Sequence, residues 1–277
     1  MSAALPDHIT PRLYSRRVVG VVIALAALLI VIWLLGTPGG VLGKADAVGY
    51  AICHRIPSRS FHFHGRPLPL CARCTGIYLG VMIGLIVFLL SGRGRAARLP
   101  GVRVLAVLIV FGLSIALDGL NSYLTLFPGY HPVYAPHNTL RLITGMAAGL
   151  TMITVVLPVF NATMWHAPRS AAPLASLKEL AALVIIAALV AVLALIDAPA
   201  LRVIFALLSV TGIVLMFALI GAVLFVTVTR RENRARSWRD LAVPGLAGLA
   251  FAIALIGAID LARYALTGTW EGFTSLG

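Results

Sequence analysis

Residues 203–228 read VIFALLSVTGIVLMFALIGAVLFVTV and contain 26 residues without a charged side chain. An apolar α-helix of about 20 residues is long enough to cross the hydrocarbon core of a bilayer. The rest of the chain is similar, because 60% of its 277 residues are hydrophobic and only 11% are charged, whereas soluble domains carry about 25% charged residues. The sequence therefore predicts an all-α, polytopic membrane protein.

Six further apolar runs predict a bundle of about seven transmembrane helices, separated by short basic or Pro- and Gly-containing segments. The first run is longer than the apolar core of a signal peptide, so we predict that it is retained as a helix. Asn138 is predicted to cap the fourth helix. The predicted helices cover residues 18–35, 71–90, 104–120, 139–160, 180–196, 203–228 and 241–264. We divide the chain into a cytoplasmic N-terminal tail (1–17), a four-helix core with a cysteine loop (18–160, loop 36–74) and three further helices (161–277).

Lysine and arginine residues are unevenly distributed between the two ends of this bundle. Fourteen of the 22 lie on the side of the N-terminus and eight on the other side. Because cytoplasmic segments are enriched in Lys and Arg, we predict a multi-pass protein of the inner (plasma) membrane with a cytoplasmic N-terminus. The net charge is +13. These charges lie in short segments between apolar runs, a pattern that does not predict nucleic-acid binding.

Reactive side chains are concentrated in residues 53–76, CHRIPSRSFHFHGRPLPLCARCTG, which form part of a predicted outer loop. Three cysteine thiolates and one imidazole can form a tetrahedral zinc site. One alternative is a thiol–disulfide or quinone-linked redox pair in the C-x-x-C motif, and another is that the cysteines are inert and buried. The candidate ligands are Cys53, Cys71, Cys74 and a histidine, with His54 preferred over His62 and His64.

The same stretch contains four arginines and no carboxylate, and the nearest carboxylate is Asp46. Guanidinium groups suit phosphate and carboxylate recognition, and the anions available just outside a bilayer are lipid headgroups and polyprenyl phosphates. The alternative is that these arginines only solvate the loop. The arginines are Arg55, Arg59, Arg66 and Arg73.

Polar residues also flank residues 121–137, a proline-containing segment between the third and fourth helices. Ionisable groups inside membrane helices usually face a partner or a cavity, so we predict an ion pair between Asp118 and Arg141. The alternative is a purely structural pair. We predict Asp118 and Arg141 as catalytic residues, and Asn121 and Asn138 as anion-binding residues alongside Arg55, Arg59 and Arg73. Asp260 and Arg263, at the end of the last helix, and Trp33 are interpreted as interfacial anchors.

The segments CHRIPSRSF (53–61) and LPLCARCTGIY (68–78) resemble the signature of a bacterial and archaeal membrane-protein family, domain-of-unknown-function family 2085. A second set of residues resembles that family's second block: Asp118, Asn121, Asn138, Arg141, Thr144 and Gly145. The resemblance covers about residues 45–160. It implies a membrane protein whose shared feature is these polar residues, and it implies no particular activity.

These observations predict a membrane protein with an outer-face Cys/His zinc site that interacts with the lipid bilayer and with a lipid-linked or anionic small molecule. A redox protein that uses Cys71 and Cys74 is the second interpretation, and a transporter or structural membrane subunit is the third. Transport is disfavoured because the polar groups lie at one membrane face rather than at the midplane. The residues do not decide between an enzyme and a binding protein, and they leave the oligomeric state open.

Overall fold

The structure is a computed structural model that describes residues 13–271, and in this range it contains eight α-helices and one β-hairpin. Seven of the helices are long and apolar enough to cross a membrane. The predicted all-α, polytopic architecture is therefore confirmed. Most of the predicted N-terminal tail, residues 1–12, lies outside the described residues. The elements are α1 (Arg16–Gly36), α2 (Gly40–Ile52), β1 (Ser60–Phe63), β2 (Arg66–Cys71), α3 (Ala72–Leu90), α4 (Val102–Leu124), α5 (Asn138–Met164), α6 (Leu177–Leu195), α7 (Pro199–Val228) and α8 (Ala242–Thr267).

The prediction of a loop between the first two spans is wrong in part, because this segment contains α2 and the hairpin. Helix α2 has several glycines, which lower its intrinsic helix propensity. Tertiary packing overrides this propensity, since most residues in the second half of α2 are buried and Gly49 lies directly against the Pro69 backbone. At the start of α2, the Lys44 ammonium donates to the Thr37 carbonyl at 2.9 Å and so caps the end of α1.

The hairpin is closed by a two-residue turn formed by His64 and Gly65. Both residues have positive φ angles, 48° and 79°, as a type I′ turn requires. Strands β1 and β2 pair antiparallel, and Ser60 lies opposite Cys71. The hairpin therefore returns the chain to the start of α3.

Helices α3 and α5 form a closely packed pair, and glycines lie where their backbones meet. A Cβ atom on Gly149 would collide with the Ile77 carbonyl, and one on Gly76 would collide with the Leu142 carbonyl. Small residues allow this close approach between membrane helices. The contact holds the start of α3, which carries two cysteines, beside the start of α5, which carries Arg141.

The connecting segments gather at the two ends of the bundle. At one end, the arginine-containing segments form isolated bridges between Ala96 and Arg169 and between Trp165 and Ala235. The cysteine stretch, the end of α4 and the start of α5 lie at the other end. The cytoplasmic assignment of the first end stays a prediction.

The last helices also contact the predicted four-helix core. The Arg202 guanidinium, on α7, donates to the His62 carbonyl. The Arg263 guanidinium, on α8, donates to the Cys53 carbonyl at 2.9 Å. The division of the chain into a four-helix core and three further helices stays a prediction. Asn138, predicted as the cap of the fourth helix, is its first residue instead, and the His137 imidazole accepts the Leu140 N–H at 3.3 Å.

Candidate functional site

Three secondary-structure elements bring the cysteines together. Cys53 ends α2, Cys71 is the last residue of β2 and caps the start of α3, and Cys74 lies in the first turn of α3. Their three sulfur atoms lie within 4.8 Å of one another. All three are free thiols, and Cys53 and Cys71 are buried. The arrangement is a compact sulfur cluster at the N-terminus of a membrane-spanning helix.

Hydrogen bonds within this cluster give its thiols different pKa values. The Cys53 sulfur accepts the backbone N–H of Cys71 at 3.3 Å. The side-chain hydrogen bond with Cys71 raises the pKa of Cys53 to about 12. Hydrogen bonds from Cys53 and Cys74 hold the pKa of Cys71 well below its usual range, and His54 contributes in the same direction. The Cys71 thiolate is therefore favoured, and it lies where the positive end of the α3 dipole also stabilises it.

His54 lies beside this cluster without belonging to it. Its Nδ1 atom accepts the backbone N–H of Ile56 at 3.0 Å, so the neutral ring carries its proton on Nε2. In this tautomer, the Nε2–H group can donate a hydrogen bond toward Cys71, whose pKa His54 lowers. His54 as a zinc ligand stays a prediction. Within the described residues, the group of potential ligand atoms contains the three cysteines and none of the histidines.

The donor set fits a zinc ion. A tetrahedral zinc–thiolate site, with Zn–S bonds of about 2.3 Å, separates its sulfurs by about 3.8 Å. The observed separations, at most 4.8 Å, are compatible with that geometry. Three protein ligands leave a fourth coordination position for water or a substrate, as in catalytic zinc sites. Nearby arginines offset the negative charge that such a site carries.

The predicted ion pair between Asp118 and Arg141 is wrong, because Asp118 pairs with Arg73. The Arg73 Nε atom donates to Asp118 Oδ2 at 3.1 Å, and Nη2 donates to the same oxygen. The Tyr134 hydroxyl donates to the other carboxylate oxygen at 3.0 Å. Asp118 is only 1% exposed. Arg73 lies in the first turn of α3 and extends to α4. The prediction considered only the adjacent helices α4 and α5, so it did not include this contact.

Arg141 instead binds neutral groups. Its Nη2 atom donates to the Ser122 hydroxyl at 2.9 Å, and Nη1 donates to the Asn138 side-chain oxygen at 2.8 Å. Arg59 similarly donates to the Thr125 hydroxyl at 3.2 Å. The two arginines are 6% and 9% exposed, and neither forms an ion pair with a carboxylate of residues 13–271. Burial, together with the charge of nearby Arg73, lowers the pKa of Arg59.

These contacts produce a concentration of positive charge beside the sulfurs. The guanidinium groups of Arg59, Arg73 and Arg141 lie close enough to repel one another, and Asp118 is the one carboxylate that neutralises them in the described chain. Arg59 and Arg141 also interact electrostatically with Cys71. The sulfur cluster and this arginine cluster (Arg59, Arg73 and Arg141) are therefore parts of one site.

Arg55 and Asn121, both predicted to bind an anion, have partners outside the arginine cluster. The Arg55 guanidinium forms an ion pair with Asp46 at 2.9 Å and donates to the Trp270 carbonyl at 3.2 Å. Arg66, which is more exposed, contacts the same Asp46 carboxylate. The Asn121 side chain binds the backbone of residues 133 and 134, which orders the segment between α4 and α5.

The sequence argument missed several residues that build the site. Ser122 and Thr125 follow Asp118 at helical spacing, so periodicity on α4 would have identified them. Tyr134 and Arg263 carry no comparable local signal, because each reaches the site from a distant element. Arg263 also stacks on the Tyr50 ring, with its guanidinium carbon 4.1 Å from the ring centre.

Comparisons with known proteins find one family of predicted membrane proteins. The family model described as "Predicted membrane protein (DUF2085)" matches residues 53–155, which include the three cysteines and the arginine cluster. An uncharacterized protein of Methanocaldococcus jannaschii is 34% identical over 114 residues, covering 41% of this chain and 67% of the relative. An uncharacterized protein of Methanothermobacter thermautotrophicus is 39% identical over 109 residues, covering 38% of this chain and 86% of the relative.

No solved structure matches the chain at a significant level. The two archaeal relatives align with only part of this chain, while this chain covers at least two thirds of each of them. The family match ends at residue 155, within α5, so it does not include α6, α7 and α8. The cysteine signature, the buried arginines and these matches lead to one assignment: the chain belongs to the DUF2085 family of membrane proteins.

Proposed function

We propose that this membrane protein binds zinc through Cys53, Cys71 and Cys74, and that the adjacent arginine cluster binds an anionic group of a lipid-linked or small molecule. The observation that carries the proposal is that three sulfurs converge beside two buried guanidinium groups without carboxylate partners. Buried charge is energetically unfavourable unless it is paired, and Asp118 together with the Cys71 thiolate carries less negative charge than the three guanidinium groups carry positive charge. A bound phosphate or carboxylate would supply the missing negative charge.

Each residue of the site would have a distinct role. Arg59 and Arg141 would bind the anion, while Ser122 and Asn138 would orient Arg141 through their hydrogen bonds. Asp118 would hold Arg73 in place and act as an acid, base or counter-ion. His54 would donate a proton or hydrogen bond from Nε2. A zinc ion bound here would act as a Lewis acid toward an oxygen of the anion.

We expect purified protein to contain one zinc ion per chain, and the single substitutions Cys53→Ser, Cys71→Ser and Cys74→Ser to lower this to well below one. Each substitution removes one of three thiolate ligands, whose affinity for zinc exceeds that of a hydroxyl group. Elemental analysis of protein purified without added metal measures the content. The control is His64→Ala, in the hairpin turn and outside the sulfur cluster, which should retain the zinc.

The second candidate is a thiol–disulfide redox protein, which the favoured Cys71 thiolate at the start of α3 supports. In that case, the purified protein would be metal-free, and non-reducing peptide mapping would find Cys71 joined to Cys74. That combination would contradict the zinc site. Zinc at one equivalent with three reactive thiols after denaturation and chelation would exclude the disulfide.

We also infer that the site lies on the outer face of the inner (plasma) membrane, with a cytoplasmic N-terminus. The support is the excess of Lys and Arg in the segments at the opposite end of the bundle. Reporter fusions after Arg95 and Arg234 should read cytoplasmic, and fusions after Gly65 and Tyr130 should read external. An opposite result at Gly65 would put the cysteines in the cytoplasm.

A further inference from the structure

A buried carboxylate lies outside the cysteine site, near the outer end of α8. Asp260 is 2% exposed. Its Oδ2 atom accepts the Trp33 indole N–H at 3.1 Å, which links α8 to α1. Its Oδ1 atom is buried and has no hydrogen-bond partner in the described part of the chain. Buried polar atoms normally have partners, so this oxygen indicates a missing one.

Asp260 lines a cavity of about 500 Å³ between α1 and α8. This volume lies within the range of small-molecule sites, about 300–1,000 Å³. The cavity follows α1 from Leu29 to Thr37, a rise of about 12 Å in a helix. Its inner part is lined by apolar side chains, including Ile253 and Ala254. The cavity thus has an apolar part and a polar end near Asp260.

Aromatic rings surround that polar end. Trp33, Tyr264 and Trp270 all line the cavity, and the rings of Tyr264 and Trp270 lie 5.3 Å apart. Faces of tryptophan and tyrosine rings attract cations, and a set of such rings is a known means of binding ammonium groups. A carboxylate among aromatic rings therefore favours an organic cation over an anion or a neutral group.

The nearby basic side chains have contacts of their own. The Lys44 ammonium binds the Thr37 hydroxyl at 2.8 Å as well as backbone carbonyls at the end of α1, and it lies 5.8 Å from the centre of the Trp33 ring. The Arg263 guanidinium donates to the Cys53 and Tyr50 carbonyls, and it also interacts electrostatically with Asp260. The Asp260 side chain lines the cavity, and its buried Oδ1 atom has no hydrogen-bond partner among the described residues.

We propose that this cavity binds a molecule with an organic ammonium group attached to an apolar chain. The ammonium group would lie against Asp260 and the aromatic rings, and the chain would follow the apolar wall formed by α1 and α8. A membrane lipid with an amine headgroup and a soluble amine share this chemistry. The proposal does not depend on the function proposed for the cysteine site.

The test is a titration of the full-length protein in phosphatidylglycerol nanodiscs, which contain no amine lipid. We expect dodecyltrimethylammonium to bind saturably at one site per chain, as measured by isothermal titration calorimetry. Asp260→Asn should weaken binding at least tenfold, although its side-chain oxygen can still accept the Trp33 N–H. The control is Glu232→Gln, which makes the same charge change at the other end of the bundle and should bind like the wild type.

A second variant keeps the test decisive if Asp260→Asn fails to fold. Ala254→Phe should fill the apolar part of the cavity and reduce binding at least tenfold while leaving Asp260 in place. Thermal unfolding of each variant shows whether it is folded. Folded variants that bind dodecyltrimethylammonium as tightly as the wild type would overturn the proposal, as would the absence of saturable binding to the wild type.

Two further measurements distinguish the sources of the ammonium group. If tetramethylammonium binds as tightly as the long-chain probe, the apolar chain adds nothing and a soluble amine is indicated. If only the long-chain probe binds, a lipid is indicated, and native mass spectrometry should find phosphatidylethanolamine retained by the wild type and lost from Asp260→Asn. Both results support an ammonium site, and the first would overturn the part of the proposal that concerns the apolar chain.

Discussion

Replacing Asp118 with asparagine is expected to lower the free energy of unfolding by roughly 3–5 kcal/mol, the typical cost of removing one partner from a buried ion pair. The carboxylate is 1% exposed and binds Arg73 and the Tyr134 hydroxyl. Without it, three neighbouring guanidinium groups would remain without a carboxylate. The change is measurable as reversible unfolding in mixed micelles.

A double-mutant cycle tests which arginine is the partner. We expect Asp118→Asn and Arg73→Gln to be strongly non-additive, because one contact is lost in both single variants. Asp118→Asn and Arg141→Gln should be closer to additive, since Arg141 binds Ser122 and Asn138 instead. The opposite ranking of the two coupling energies would contradict the observed pairing.

Asp197→Asn is a suitable control for this experiment. Asp197 also pairs with an arginine, Arg202, at 3.1 Å, but its side chain is 81% exposed. Exposed ion pairs contribute at most about 1 kcal/mol. An effect of Asp197→Asn as large as that of Asp118→Asn would mean that burial is not the cause.

The second large effect is expected for ligand binding at the arginine cluster. Arg141→Gln should weaken the binding of a polyprenyl phosphate by about ten- to a hundredfold, because a hydrogen bond to a charged group contributes about 1.5–3 kcal/mol and 1.4 kcal/mol corresponds to tenfold. Arg59→Gln should have an effect of similar size. Direct binding measurements on nanodisc-embedded protein would determine both affinities.

Arg66→Gln is the matched control, because Arg66 lies in the same stretch and its side chain is 43% exposed beside Asp46. It should leave the affinity unchanged. Inorganic phosphate, tested in parallel, shows whether the phosphate alone is sufficient. Equal affinity of all three arginine variants and the wild type would remove the anion from the proposed function.

The membrane-spanning helices are recognisable from local sequence alone. Each apolar run is long enough to cross a bilayer, and the described structure has seven such helices with boundaries within a few residues of the prediction. Helix α2 was not predicted from the sequence, because it is short and contains several glycines. Its stability comes from packing against the hairpin and α8, and such long-range contacts cannot be predicted from a local sequence pattern.

The sequence by itself determined the class of this protein and the presence of a polar site, because apolar length and the clustering of reactive residues are local properties. Only the tertiary structure decided which groups meet. The hairpin turn at His64–Gly65 returns Cys71 to Cys53, although 18 residues separate them. The glycine-mediated approach of α3 to α5 and the reach of Arg73 to Asp118 determine which arginines remain available for an anion. Such contacts depend on side-chain direction and helix spacing, which are set when the helices pack together.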